Sequence, residues 1–221
     1  MRYLPIILLL LCATGLKAQK KFEGVVHYLM VSADSNLQVT ITAWYKKDKI
    51  KFTTELKKGP AAGDIKNETL IIDLQKAAID RVKDNEKTVE REWLTGKNRK
   101  QDIPFLTASG IMQTILGFPC TEYTSGQFSK SEKKDTSTVV TAGELKFWYA
   151  NDLLFPVPDS LKMIQMIPLF TNGHIALGSE IRIRQAVINL VLHTEAKEIH
   201  PQKLRKSVFR HPKGYRLKHN D

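Results

Sequence analysis

Leu37-Gln38-Val39-Thr40-Ile41-Thr42 places an apolar side chain at every odd position and a polar one at every even position. Successive side chains of an extended strand point to opposite sides, so this period belongs to a strand with one face buried and one in solvent. Lys49-Ile50-Lys51-Phe52-Thr53 repeats the pattern, and Lys47-Asp48 reads as the turn between the two. Working outward, Phe22–Val31 reads as a first strand with Val25, Leu29 and Val31 on one side. Further strands are predicted at Thr69–Leu74, Ala78–Lys83, Lys87–Trp93, Thr121–Ser125, Thr136–Thr141 and Leu145–Tyr149. Gly173 to Ile199 reads as two strands. Ile181 and Ile183 alternate with arginines, then the apolar phase shifts to Ala186, Ile188, Leu190 and Leu192, which implies a turn or bulge near Arg184–Gln185.

The breaks carry turn chemistry. Lys58 to Asp64 is a loop by composition, Lys83 to Glu86 a tight polar turn, and Ser125-Gly126 through Asp135-Thr136 a polar, lysine-rich connection. Helical pattern is scarce. A short helix is expected over Phe105–Leu116, with Thr107 or Ser109 near its start. Asp159-Ser160 is expected to cap a second over Leu161–Phe170, where Leu161, Ile164 and Ile167 fall three apart. Many short strands with two brief helices predict a mainly β (α+β) fold: a single curved antiparallel sheet or unclosed β-barrel, with the short helices on its concave side.

The N-terminus bears on compartment. Arg2 precedes an apolar run from Leu4 to Leu11, broken only by Pro5, and Leu16-Lys17-Ala18 closes it. This reads as a signal peptide over residues 1–18, cleaved between Ala18 and Gln19, leaving one β-rich domain over 19–221. The run is much shorter than the ~20 residues a spanning helix needs, and none follows that is longer, so no transmembrane segment is expected after cleavage. Cys12 departs with the leader, because Leu11 is not the small residue a lipoprotein signal places before its cysteine. Cys120 is then the lone thiol. An exported domain without paired cysteines suits the periplasm, or the periplasmic face of the outer membrane, of a Gram-negative bacterium. Beyond the leader's Arg2 and Lys17 the chain carries a net charge of +9. Such a charge favours anionic partners, lipid headgroups among them. Nucleic acid is not expected for an exported chain with no stacking platform.

Catalytic signatures are absent from the sequence. No G-x-S-x-G elbow surrounds Ser109, Ser160 or Ser179, and the glycines form no phosphate-cradling pattern. Cys120, between Pro119 and Thr121, reads as a buried structural cysteine. The histidines (His27, His174, His193, His200, His211, His219) show no metal-ligand spacing, although His193 and His200 could approach across a hairpin. Hence no metal and no cofactor are expected. Lys46, Lys47, Lys49, Lys51, Lys57 and Lys58 read as the solvated face of alternating strands that also discourages edge pairing.

Three segments carry a family likeness. Ile115-Leu116-Gly117-Phe118-Pro119-Cys120-Thr121-Glu122-Tyr123 fits I-x-G-[FY]-x-C-x-x-Y. Trp148-Tyr149-Ala150-Asn151-Asp152-Leu153 fits W-[YVA]-x-x-[DE]-L, and Phe209-Arg210-His211-Pro212-Lys213-Gly214-Tyr215 fits F-x-x-P-x-G-Y. In this order they resemble an exported Gram-negative domain family of unknown function, and more distantly the GLPGLI family, whose name-giving string is absent here. The resemblance implies a fold similar to the LolA and LolB lipoprotein carriers and lends no catalytic residue. Within it Gly117, Cys120, Tyr123, Trp148, Pro212, Gly214 and Tyr215 look architectural: a turn, a strand with Trp148 packed on it, and a last turn returning Tyr215 to the sheet.

The expected role is that of a non-catalytic periplasmic or envelope-associated protein. Its concave face would hold a lipid, an acyl chain or another hydrophobic group beneath a Met-rich lid of Leu161, Met163, Ile164, Met166, Ile167 and Phe170. The alternatives are a structural or interaction module of the envelope with no ligand and, as a minor one, a hydrolase.

Overall fold

The computed structural model describes residues 21–32, 36–58, 68–94, 106–134, 137–155, 157, 173–185 and 188–219. The leader with its cleavage point, the loop over 59–67 and the segment Asp159–Phe170 lie outside them. The strands are β1 (Gly24–Ser32), β2 (Gln38–Lys46), β3 (Lys49–Lys58), β4 (Thr69–Asp73), β5 (Ala78–Lys83) and β6 (Thr88–Trp93). They continue with β7 (Thr107–Ile115), β8 (Phe118–Lys134), β9 (Ser137–Leu154), β10 (His174–Gln185), β11 (Ile188–Pro201) and β12 (Arg216–His219).

All twelve belong to one sheet in the order β12-β6-β5-β4-β3-β2-β1-β11-β10-β9-β8-β7. Two antiparallel meanders, β1–β6 and β7–β11, are joined where β1 pairs with β11. Among the described strands only β12 runs parallel to its neighbour, β6. The sheet is left unclosed, with β7 and β12 at its two ends. This is the mainly β, single-sheet architecture that the alternation predicts.

Packing across the sheet shows how strongly it curves. Tyr45 on β2 and Phe155 just after β9 are four strands apart, a separation of ~19 Å on a flat sheet. Their ring centroids are 5.4 Å apart. The Phe22 N–H also donates to the Leu154 carbonyl at 2.7 Å. At the far end, a Cβ on Gly178 of β10 would stand 3.2 Å from Ile115 Cδ1 of β7. Contacts this short are possible only on the inside of a curl. The cluster they define therefore marks the concave side, and it contains Val26, Tyr28, Ala43, Tyr45, Ile50, Ile72, Cys120, Ala150, Phe155, Ile175 and Leu177. Burying a row of such side chains contributes about 1.5–3 kcal/mol each, the main force that holds the curl.

Two sequence expectations are corrected. Phe105–Leu116 is no helix where it is described: Thr107–Ile115 is the edge strand β7. Leu116 and Gly117 both take positive φ, 51° and 82°, and form the two-residue hairpin turn that pairs Ile115 with Phe118. Gly110, at φ 82°, sits where β7 breaks register with β8. A strong turn overrides a weak helical pattern. Second, the polar connection after Ser125 is strand. β8 runs to Lys134, β9 starts at Ser137, and the strands predicted at Thr136–Thr141 and Leu145–Tyr149 are one. No side chain from Thr124 to Ser129 is buried, so alternation had nothing to record there. Two short 3-10 turns, Asp84–Glu86 and Lys206–Phe209, also lie among the described residues, and the second predicted helix, Leu161–Phe170, lies outside them. Phe209 packs in a cluster with Val25, Val82 and Val89, on the convex side of the sheet.

Candidate functional site

The concave face is apolar with a small polar anchor at its centre. The Tyr28 hydroxyl donates to the Ala176 carbonyl at 3.0 Å and lies 3.1 Å from the Tyr45 hydroxyl, which ties β1 and β2 to β10 through the core. Burial pushes both phenols above their ordinary values, so they stay neutral donors. Cys120 and Glu122 of β8 face Ala150 and Trp148 of β9. Cys120 is fully buried and its thiol is pushed up by burial. Glu122 is 6% exposed, a buried acid that its place between two polar neighbours, Thr121 and Tyr123, did not advertise. The other buried acids among the described residues, Asp73 and Asp80, are ion-paired on the convex side, to Lys49 at 2.6 Å and Arg91 at 2.6 Å.

The motif residues divide between the two faces. Trp148 shares the concave row with Cys120, while Tyr123 pairs with Phe147 on the opposite face and meets Tyr149 edge-on at 5.4 Å. The lid residues Leu161, Met163, Ile164, Met166, Ile167 and Phe170 lie outside the described residues. The chain that carries them starts from the concave cluster, in which Phe155 and Val157 are buried, and Phe155 N–H bonds back to the Gly173 carbonyl. Beside that cluster runs an exposed apolar lip. Ile115 is buried within the cluster, while Ile111 two pairs along the same row of β7 and Leu116 in the turn are 55% and 46% exposed; Met112, opposite Thr121, is 62% exposed on the other face.

The closing motif is a strap over the convex face. Leu204 N–H donates to Glu23 Oε1 at 2.7 Å, an oxygen shared with Lys46 Nζ. Leu204, Val208, Phe209 and Tyr215 pack on Val25, Trp44, Ile71, Val82 and Val89. His211 Nε2 reaches Asp80 Oδ2 at 2.7 Å, and Arg91 grips the same carboxylate through two hydrogen bonds at 2.6 and 2.7 Å. Pro212 and Gly214 (φ 83°) then turn the chain so that Tyr215 donates to Asp84 at 2.9 Å and Arg216 N–H to the Lys87 carbonyl at 3.0 Å.

No family model matches the chain, and no curated protein does. Two solved structures are similar in the course of the chain. One is an uncharacterised conserved protein from Thermus thermophilus, with 9% identity and TM-score 0.44 over 90% of this chain and 91% of that one. The other is described as an outer membrane lipoprotein-sorting protein domain from Vibrio parahaemolyticus, with 11% identity and TM-score 0.37 over 90% and 95%.

The charged residues are placed differently from expectation. β2 and β3 are interior strands, so their lysines guard no edge. Lys46, Lys49 and Lys57 are ion-paired, and Lys51 lies 5.3 Å over the Trp44 ring. His193 and His200 both belong to β11 and do not face each other across a hairpin. Seven residues of strand separate them by ~23 Å. His193 lies 3.6 Å from Glu180, whereas His200 stands beside His27 of β1.

Proposed function

We propose that this chain is a non-catalytic protein of the Gram-negative envelope that holds one hydrophobic group, of acyl-chain character, against the concave face of its sheet. The observation that carries this reading is the buried concave cluster that extends to Ile115 of β7, with exposed Ile111 in the same strand row and exposed Leu116 in the adjoining turn as its lip. An apolar ligand sliding past that lip would stay out of water along its whole path. Phe155 and Val157, which lead into the Met-rich sequence 161–170, are buried in the same cluster, and a Met-rich sequence suits contact with varied apolar groups. The leader and the positive charge support an envelope setting with anionic surfaces. The buried Asp80 is held by Arg91 and by the half-buried His211 and anchors the strap, which is structural work.

A second reading, an envelope interaction module with no ligand, is favoured by how completely Tyr45, Phe155, Ile50, Ile175 and Leu177 are buried on the concave side. Native mass spectrometry of the protein purified from its own envelope separates the two. The carrier reading expects one lipid-sized mass per chain, released on unfolding. A bare chain that also fails to bind fluorescent fatty acids leaves the interaction module.

A further inference from the structure

We propose that His27, Glu198 and His200 form a binding site for one divalent transition-metal ion on the convex face, at the junction of β1 and β11. Candidate ligand atoms of the three residues all lie within 4.8 Å of one another. Their meeting is a product of register. His27 stands directly opposite Glu198 in the β1–β11 pair, and Glu198 and His200, two apart on one strand, point to the same side. His200 Nε2 lies 2.9 Å from Glu198 Oε2, and the two imidazole rings are 5.6 Å apart at 73°.

Two further features suit a metal centre. His27 Nδ1 is 3.1 Å from Thr42 Oγ1 on β2. With the hydroxyl accepting from Nδ1–H, the ring is fixed in orientation and Nε2 is the nitrogen left to bind, the outer support that metal-ligating histidines ordinarily have. The β1–β11 register breaks at His27/Tyr28, where Ala196 and Glu198 face consecutive β1 residues and Lys197 is the extra one. Such bulges re-aim side chains beside functional sites. Two imidazoles and one carboxylate are the donors zinc and copper(II) prefer over magnesium or calcium. Tetrahedral zinc bonds of ~2.1 Å would bring the donor atoms to ~3.4 Å apart. Glu198 and His200 are exposed and His27 half-buried, so side-chain rotation can close that gap and leave the outer position to water or a ligand. An ion here would cross-link the two meanders at their only direct junction among the described strands.

The test is titration of untagged protein with zinc by calorimetry and with cobalt(II) by visible absorption. The proposal expects one ion per chain and a cobalt spectrum of low coordination number. Thr42→Val should weaken binding about tenfold, Glu198→Gln and His200→Ala should each remove it, and His193→Ala should leave it unchanged. Both Glu198 and His200 are exposed, so these variants should keep the wild-type circular dichroism. A chain that binds no ion stoichiometrically overturns the proposal. So does binding that survives both Glu198→Gln and His200→Ala, or that is lost equally in His193→Ala.

Discussion

Replacing Asp80 by alanine probes the contact on which the C-terminal strap depends. The Asp80 side chain is 5% exposed and accepts hydrogen bonds from Arg91 and from His211, whose side chains are 14% and 32% exposed. Truncation strands a nearly buried guanidinium, and breaking a buried pair from one side costs about 3–5 kcal/mol. The His211 contact is a third exposed and adds little, as solvent screens it. A loss of about 3 kcal/mol is therefore expected at pH 7. With an m-value of about 3 kcal/mol/M in urea, the unfolding midpoint falls by ~1 M. The acid dependence has a definite sign. Burial raises the Asp80 pKa, but the hydrogen bonds from Arg91 and His211 outweigh it, so the folded value lies below the ordinary 3.8. A depressed carboxylate stabilises the fold above its unfolded pKa, and that contribution disappears as the pH falls through the folded value. The gap between wild type and Asp80→Ala should thus be constant above about pH 5 and shrink below about pH 4. A loss under 1 kcal/mol, or a gap that persists in acid, would refute the reasoning.

Other consequences are simpler to read. Tyr28→Phe leaves the Ala176 carbonyl without its donor inside the core and should lower stability by about 1–3 kcal/mol in urea unfolding, with near-native near-ultraviolet dichroism. The Cys120 thiol, buried and pushed up in pKa, should resist an aromatic disulfide reagent at pH 8 and react only as the protein unfolds. Labelling of the native protein at the rate of a free thiol would contradict its burial.

Legibility in the sequence followed burial. Where one strand face is covered, as in β2 and β3, apolar alternation marks the strand; β5, covered on both faces, shows instead as a short run between turns, and Ala78–Lys83 matches it end for end. Where no side chain is buried, as over Thr124–Ser129 of β8, polarity replaces alternation and strand reads as loop. The turn at Leu116-Gly117 is visible through its glycine, but the leucine at positive φ beside it has no sequence signature, so β7 reads as helix. The β1–β11 pair joins opposite ends of the chain, and nothing local announces its register. His27 and Glu198 therefore could not be brought together by reading. The available hint was Glu198-x-His200, a strand spacing that puts two donors on one side. The strap was partly legible, through Pro212, Gly214 and Tyr215, whereas its anchors Glu23, Asp80 and Arg91 look like ordinary surface charges.

The concave face can be interrogated directly through its tryptophan. Trp148 packs against the concave cluster, Trp44 belongs to the convex one, and Trp93 is 41% exposed. A chain carrying Trp44→Phe and Trp93→Phe reports from Trp148 alone, and a dibrominated fatty acid quenches only a ring it touches. The account predicts saturable quenching of Trp148 at one acyl chain per protein, and none in the reciprocal chain that keeps only Trp44. Trp148 emission that is indifferent to the brominated acid, or quenching of Trp44 instead, would contradict a hydrophobic group held on the concave face.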